Sequence, residues 1–301
     1  MSITFSVVRL GRRWVLWLCL AVVTGMALET VSHAQRRFTP RPAPYSELDY
    51  EQGKELLSEF RQIGIAGDYT FQFELRSMPR RGQEALYQGN MWGSRNTLGP
   101  ISLIEITSEN MPEETVRLLV QNGVDAAIWT ATRNSEGEFD ARKLGVDDLF
   151  SPILNTDYTP FDLQMPYIYW QDFEYDGLER IRGRSSHRFI MFPPAELQEQ
   201  FPDIAGVRIY LDAEFKAMIR AEMLDSDAEV LKTFSILDIK RVQGQWIVKT
   251  IDLRDDITRD KTRFRVTDAV MDLFLPGLYF SPENLDNELP PSQWVREFSR
   301  Q

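Results

Sequence analysis

A Ser–Ser–His run at residues 185–187 is the part of the sequence that comes nearest to a catalytic arrangement. A serine nucleophile needs a histidine base within hydrogen-bond reach, and many hydrolases display it on a turn with a glycine on each side. On a strand, Ser186 and His187 would face opposite sides of the sheet, and neither Ser185 nor Ser186 has glycines on both sides. We therefore expect His187 to be a strand residue with a hydrogen-bonded ring. A hydrolase remains the alternative from another class.

Acidic clusters could bind a metal or act as paired catalytic carboxylates. Residues 225–229 (DSDAE) resemble the start of a calcium loop, but they lack its central glycine and its distal glutamate. The pairs at 147–148 and 255–256 are adjacent residues, whose carboxylates would face opposite ways on a strand. After residue 34 the sequence has one histidine and no cysteine, which leaves zinc without its usual ligands. We predict polar turns at these positions, no metal, no cofactor and no enzymatic activity.

Basic side chains alternate along one predicted strand, at Arg259, Lys261, Arg263 and Arg265. Such a row could bind anionic lipid head groups or an acidic partner. It could also be an exposed strand face that nearby carboxylates, such as Asp255 and Asp260, neutralise. We favour the second interpretation, in which the row is structural.

The first 34 residues are typical of a signal peptide. A basic start precedes a nearly uninterrupted apolar run over residues 14–28. That run is shorter than the roughly 20 residues that a membrane-spanning helix needs. Ser32 and Ala34 stand where a signal peptidase accepts small residues, so we predict cleavage after Ala34 and a periplasmic location. An uncleaved membrane anchor is the alternative.

The composition is that of a folded globular protein, and it excludes some partners. The 301 residues are 43% hydrophobic, which is enough for a sizeable core. The formal net charge is -11, and an acidic surface repels phosphate backbones, so nucleic acid is not an expected partner. The only cysteine, Cys19, lies in the predicted signal peptide, so the exported chain must rely on its core and not on disulfides.

The predicted elements begin with a linker and a helix. Residues 35–45 carry three prolines and three arginines and predict an extended linker. A helix is predicted over 46–63, because apolar residues recur there at helical spacing. Over 69–76 apolar and polar residues alternate, which predicts a strand with one buried face. Further strands are predicted at 85–92, 101–107, 116–121 and 126–133, and Asn122-Gly123 predicts a tight hairpin between the last two.

The alternation stops at residues 140–166, where apolar residues are mixed with aspartates and prolines. We expect short helices or a covering loop there. Strands are predicted again at 167–182 and 185–192, followed by a short helix at 194–201. The last predicted strands are 207–211, 217–224, 230–240, 245–254 and 262–271. Links this short allow only antiparallel neighbours, so we predict a meander.

The C-terminal half resembles the LolA-like outer-membrane lipoprotein-sorting family in its broad, uncharacterised branch. The resemblance lies in strand-and-turn patterns: two hairpins at 206–255 with the glycine and tryptophan of VQGQWIVK, a strand TRDKTRFRVTDA at 258–269, a closing LYFSPENL at 278–285, and the hairpin FEYDGLERIRGRSSHRFIMFPP at 173–194. The helix and first strand also fit. No site residue of the family is carried over, and residues 140–166 depart from its pattern.

The resemblance implies one domain over residues 46–301, mainly β with an α+β character: an incomplete antiparallel β-barrel, or curved sheet, wrapped around a few helices. It also implies a periplasmic carrier or chaperone that shelters acyl chains in an apolar cavity. Its partners would be a lipidated protein or a lipid acyl chain, together with an inner-membrane exporter or an outer-membrane acceptor. A lipid-sensing regulatory domain of an envelope-stress pathway is the alternative on the same fold.

The side chains that could line such a cavity come from the predicted strands. Each buried methylene contributes about 0.8 kcal/mol, so a long acyl chain could be held by burial alone. We expect residues 140–166 or the N-terminal helix to form a lid. The candidates for the lining are Phe71, Phe73, Trp92, Ile209, Leu211, Met218, Met223, Phe234, Trp246, Val248, Phe264 and Val266.

Overall fold

The computed structural model describes residues 45–133, 137–287 and 289–290. The predicted signal peptide, and all of the predicted linker except Tyr45, lie outside the described residues. Within those ranges, no helix is both long and apolar enough to cross a bilayer.

Thirteen antiparallel strands form one curved sheet that does not close into a barrel. The strands are β1 (Asp68–Met78), β2 (Ala85–Asn96), β3 (Gly99–Ser108), β4 (Thr115–Gln121), β5 (Ala127–Arg133), β6 (Phe139–Lys143), β7 (Phe173–Ile181), β8 (Arg184–Met191), β9 (Gly206–Asp212), β10 (Met218–Leu224), β11 (Val230–Val242), β12 (Gln245–Asp255) and β13 (Lys261–Leu273). Most of them alternate buried and more exposed residues, as expected for strands with one face turned to the core.

The sheet consists of two meanders joined side by side. Its order is β6, β5, β4, β3, β2, β1, β13, β12, β11, β10, β9, β8 and β7. The join between β1 and β13 is antiparallel and pairs Phe73 with Val266. Strands β6 and β7 are therefore the two open edges. The prediction of an incomplete antiparallel barrel around a few helices is confirmed.

Three α-helices lie in the part of the chain that the structure describes: α1 (Tyr50–Gln62), α2 (Pro160–Gln164) and α3 (Ala195–Gln200). Helix α1 begins with a capping box at Asp49. It comes close to the sheet at Gly53, where an added Cβ atom would lie 3.2 Å from the Phe189 ring. Tyr50 stacks on Phe173, with ring centroids 5.1 Å apart. Helix α1 therefore packs on strands β7 and β8.

Residues 144–170, here called the plug segment, leave the sheet between β6 and β7. They contain α2 and two short 3-10 turns, and they pack with α1 in the main hydrophobic cluster. We call the sheet face beneath them the inner face. The opposite, outer face is covered over β2 to β5 by the chain after β13, where Leu275 and Leu285 join a second cluster with Leu103.

Arg117 on β4 holds the chain after β13 against the outer face. Its guanidinium donates to the backbone oxygens of Leu285 and Asn287 at 3.3 and 2.7 Å. It also donates to the Glu105 carboxylate at 3.0 Å and lies over the Phe139 ring at 3.8 Å. One largely buried cation thus joins the sheet to its C-terminal cover.

Most predicted elements are confirmed, with shifted ends. The helix predicted from residue 46 begins at Tyr50, because Asp49 is its N-cap. The strand predicted from residue 167 begins at Phe173, because residues 166–169 form a 3-10 turn. Strands β4 and β5 form the predicted hairpin, but its loop is longer than a tight turn, because it spans residues 122–126. Strand β6 was not predicted, because it is an exposed edge strand without apolar alternation.

His187 lies on β8 and is buried. Its Nδ1 is 3.1 Å from the Tyr175 hydroxyl, which confirms the prediction of a hydrogen-bonded strand histidine. Strand alternation turns the neighbouring Ser186 to the other face. Burial lowers the pKa of the His187 ring.

Two glycines on β2 make room for aromatic rings on the inner face. Gly89 pairs with Phe73, and Gly93 pairs with Tyr69. At both positions a Cβ atom would overlap the ring of the paired residue. The rings therefore lie directly over the backbone of β2, a packing that only glycine allows.

Replacing Gly89 with alanine should lower the free energy of unfolding by about 1–3 kcal/mol, because the methyl group displaces the Phe73 ring. Urea denaturation followed by circular dichroism measures this change. Gly277→Ala is the matched control, since a Cβ atom there meets no other residue within 4 Å. Equal stability of the two variants would contradict the packing described for Gly89.

His187 should make the stability depend on pH. Its pKa is lowered in the folded state, so the unfolded chain takes up a proton first, and stability is lost as the pH falls below about 6.5 towards the folded pKa. Denaturation at pH 7.5 and at pH 5.5 should therefore show a smaller loss of stability for His187→Gln than for the unchanged chain. The idea fails if both proteins lose the same amount.

Candidate functional site

The main hydrophobic cluster lies on the inner face, and the helices α1 and α3 and the plug segment all contribute to it. Strand residues such as Ile209 and Phe234 belong to the same cluster as Leu57 of α1, Leu197 of α3 and Phe161 of the plug segment. The bare sheet would expose a large apolar surface to water. The elements that cover the inner face are therefore part of the core.

Aromatic side chains of the plug segment fill the centre of the inner face. Phe161 is 1% exposed, and its ring centroid lies 4.8 Å from Phe150, 5.8 Å from Tyr167 and 6.2 Å from Trp170. Phe150 packs edge-on against Phe201, next to α3, at 4.5 Å. These are distances of favourable aromatic pairs. The apolar hollow expected from the sequence is thus occupied by the protein's own side chains.

A cavity of about 110 Å³ remains between the plug segment and the sheet. Its lining consists of Met91, Ser102, Ile104, Val120, Asn122, Tyr158, Asp162, Leu163, Met165, Phe234, Ile251 and Phe264. A smaller space of about 20 Å³ shares Asp162 and Phe234 with it. Drug-sized ligands occupy roughly 300–1,000 Å³, so neither space admits a long acyl chain while the plug segment is in place.

A largely buried ion pair joins the plug segment to the sheet. Lys232 Nζ on β11 donates to Asp162 Oδ2 and to the backbone oxygen of Asp157, both at 2.8 Å. The Lys232 and Asp162 side chains are 16% and 8% exposed. Asp162 Oδ2 also accepts from the backbone N and the Oγ1 of Thr159, at 2.9 and 2.7 Å. Separating a buried pair leaves an uncompensated charge, so these contacts hold the plug segment in one position.

Other polar contacts hold the plug segment at separate points. Thr262 Oγ1 on β13 donates to the Asp157 carboxylate at 2.7 Å and accepts from the Asp157 backbone N at 2.9 Å. Arg61 of α1 donates to the backbone oxygens of Ile168 and Trp170 at 2.7 Å. Burial raises the pKa of Asp157 and lowers that of Arg61. At Gln164 the segment also accepts from Asn122 Nδ2 at 2.5 Å, and its Asn155 backbone N donates to the Tyr87 hydroxyl at 3.3 Å.

Two bulky residues of the plug segment adopt the left-handed backbone conformation. Leu154 has φ 54° and Met165 has φ 48°. Met165 ends α2 and precedes the next 3-10 turn, so its conformation sets the reversal between them. This conformation costs about 1–2 kcal/mol for residues other than glycine. Tertiary contacts therefore hold the plug segment against a local preference for other conformations.

Two tyrosines of the plug segment place hydroxyl groups in its interface with the sheet. Burial raises the pKa of Tyr158 and of Tyr167, and the Asp162 carboxylate adds to both effects. Both hydroxyls are therefore neutral at physiological pH. Tyr158 lines the larger cavity, and its hydroxyl has no hydrogen-bond partner among the residues that the structure describes.

Most of the predicted lining residues share the inner face. In the main cluster, Phe73, Ile209, Leu211, Met218 and Phe234 are buried, Met223 and Phe264 pack against it, and Phe71 and Val266 belong to a third cluster on the same face. Of this set, Met223, Phe234 and Phe264 line the two cavities. The strand pattern therefore placed most of these side chains on one face of the sheet, and their role in lining a lipid site stays a prediction.

Three predicted lining residues lie elsewhere. Trp92 belongs to the cluster on the outer face. Trp246 is 64% exposed and Val248 is half-buried, whereas Ile247 between them enters the third cluster. Adjacent strand residues face opposite sides, and apolar residues on both sides of a strand do not reveal which side is the inner one.

The polar pair of Asp162 and Lys232 was missed, although a signal for it exists. Lys232 stands two residues before Phe234 and four before Ile236, so it occupies an inward position in an apolar row. A lysine at such a position needs a buried partner. Thr159 and Asp162 have the spacing of a capping box, which the structure shows. Sequence spacing does not show that these two features meet.

Three of the four residues in the predicted basic row contact carboxylates. Arg263 makes two hydrogen bonds to Asp252, at 2.6 and 2.8 Å, and Lys261 lies 3.4 Å from the same carboxylate. Arg259, which precedes β13, lies 3.6 Å from Asp256. These contacts support the structural interpretation for the three residues, with Asp252 and Asp256 in place of the expected Asp255 and Asp260, whereas Arg265 is exposed and forms no ion pair within the described residues.

Known proteins of similar structure match most of the chain. Residues 141–287 match a family model described as an uncharacterized protein. A DUF1329 family protein from Desulfovibrio piger superimposes with a TM-score of 0.66 and 15% identity, over 78% of this chain and 98% of that one. An outer membrane lipoprotein-sorting protein domain from Vibrio parahaemolyticus superimposes with a TM-score of 0.67 and 14% identity. The match covers 79% of this chain and 100% of that one. A search of curated proteins finds no significant match.

A third solved structure belongs to the LolA superfamily by name. A LolA superfamily protein from Nitrosomonas europaea superimposes with a TM-score of 0.58 and 14% identity, over 77% of this chain and 98% of that one. At such identities the agreement concerns the fold. The chain therefore has the LolA-like fold.

Proposed function

We propose that this chain is a periplasmic carrier, which shelters an acyl chain of a lipid or of a lipid-modified protein on the inner face of its sheet. The LolA-like fold supports a lipid-binding or lipoprotein-binding role in general terms. The predicted signal peptide supports the location. An inner-membrane exporter and an outer-membrane acceptor are the partners that such a carrier would need.

One observation carries the proposal: the apolar inner face is covered by a segment that is not part of the sheet. The plug segment supplies Phe161 and Tyr167 to the main cluster without adding a strand. Moving it would leave every strand-to-strand hydrogen bond in place. An acyl chain could then replace its side chains, and each methylene that it buries contributes about 0.8 kcal/mol.

The volume of the cavity shows that a long acyl chain can bind only after the plug segment moves. A space of about 110 Å³ is close to the 150 Å³ engineered cavity that holds one benzene molecule. Binding of a long chain therefore requires the plug segment to move away from Phe234 and Phe264, which line that space. The left-handed Leu154 and Met165 lower the cost of this movement, because their strain is released when the segment leaves.

Protein purified from its native periplasm should contain lipid. Solvent extraction followed by mass spectrometry should detect acyl-containing molecules in roughly molar proportion to the protein. A second sample, unfolded in urea, washed and refolded, is the control and should lose them. Extracts without any acyl-containing molecule, from protein that also fails to bind the neutral fluorescent probe N-phenylnaphthylamine, would contradict the carrier proposal.

Tethering the plug segment to the sheet should abolish acyl binding. Asp157 and Thr262 lie within hydrogen-bond distance, so Asp157→Cys with Thr262→Cys can form a disulfide in a Cys19→Ser background. The oxidised protein should not bind N-phenylnaphthylamine, and reduction should restore binding.

The same protein in its reduced state is the matched control, because any effect of the substitutions on folding is present in both states. Thr262→Cys alone, treated with the same oxidant, controls for oxidation elsewhere. Undiminished probe binding by the fully oxidised double variant would show that binding does not require the plug segment to separate from β13, and would contradict the proposed mechanism.

A further inference from the structure

Lys232 is a largely buried cation on the inner face, where Asp255 stands opposite it on β12 and the other neighbouring strand residues are apolar. The side chains around it in the smaller space include Val207, Ala221, Met223 and Leu253. Its ammonium group makes two hydrogen bonds, to the Asp162 carboxylate and to the Asp157 backbone oxygen. Both acceptors belong to the plug segment. The sheet itself supplies neither of them.

Removing the plug segment would therefore take away both hydrogen-bond acceptors of Lys232. Asp255 does not form an ion pair with it, and its Oδ1 already accepts from the backbone N of Ile257 and of Thr258. A single buried ion that loses its partner is strongly destabilising. An apolar chain that filled the space of Phe161 would not correct this, because a hydrocarbon offers neither charge nor an acceptor. The plug segment can leave at low cost only when another anion takes the place of Asp162.

The contact between Asp162 and Lys232 indicates which chemical group of a ligand could bind Lys232. Its carboxylate reaches Lys232 from a short apolar helix, α2, whose neighbouring Phe161 is buried in the main cluster. A carboxylate attached to an apolar body thus already occupies the site. A fatty acid has the same two parts, whereas an esterified acyl chain has no charge at that position.

We propose that Lys232 binds the free carboxylate of a long-chain fatty acid, and that Asp162 occupies the same place when no ligand is bound. This inference rests on the proposed function and specifies its ligand. The ligand exchanges one carboxylate for another at Lys232, so the charge on the inner face is compensated in both states.

A pair of matched ligands tests the charge. Hexadecanoate and methyl hexadecanoate have the same acyl chain, and each is used below its aggregation concentration to displace N-phenylnaphthylamine from the full chain. The unchanged protein should prefer the carboxylate about ten-fold or more, as expected for a charge-assisted hydrogen bond in a buried site. In Lys232→Met the preference should disappear, while methyl hexadecanoate still binds.

Asp162→Asn tests the competition from the protein's own carboxylate. It removes the ion pair that opening must break but keeps a polar group beside Thr159, so both ligands should bind more tightly than in the unchanged protein, and the preference for hexadecanoate should persist. The double variant with Lys232→Met removes both charges, avoids an unpaired buried ion and should bind both ligands equally. Circular dichroism confirms that each protein is folded, and the double variant gives the reading should Lys232→Met alone fail to fold.

Two results would overturn the inference in different ways. Equal binding of both ligands by the unchanged protein, or a preference that survives in the folded double variant, would exclude Lys232 as the carboxylate site and leave the carrier proposal intact. Failure of both ligands and of the probe to bind would contradict the carrier proposal itself.

Discussion

The need to keep the inner face of an open sheet away from water is the constraint on which the rest of the structure depends. A closed barrel would bury that face by itself, but β6 and β7 remain open edges. Helix α1, helix α3 and the plug segment must therefore cover the inner face, and each of them packs against it. Gly53 lets α1 approach Phe189, and Phe161 fills the centre. The sheet and its cover thus come from different parts of the chain and form one core.

Two parts of the outer face are protected in different ways. Over β2 to β5 the chain after β13 supplies an apolar cover. Over β7 to β10 the outer side chains are charged and paired: Arg188 and Arg208 both contact Asp176, at 3.4 and 3.1 Å, and Arg208 also contacts Glu222 at 3.4 Å. A charged surface needs no cover. The inner face is therefore the place where an apolar ligand would compete with the protein's own residues.

The ion pair of Lys232 and Asp162 gives this competition its chemical character. An apolar pair of similar volume would often stabilise the closed state equally well or better. The positive charge of Lys232 differs from an apolar side chain, because any anion of suitable shape can pair with it. The plug segment thus combines an apolar part, which fills space, with the Asp162 carboxylate at Lys232 and several anchoring hydrogen bonds. Our proposals follow from that combination.

The sequence by itself determined the sheet, because alternation of apolar residues requires no knowledge of distant partners. It predicted twelve of the strands at least in part, missing only the exposed β6, and it placed Phe73, Phe234 and Met223 on the inner face. Tertiary structure alone decided which of two apolar faces is inner, as Trp92 and Trp246 show. It also decided that residues 144–170 fill the hollow and that Asp162 meets Lys232, seventy residues away in sequence. Contacts of that separation depend on how the whole chain packs, and local periodicity contains no information about them.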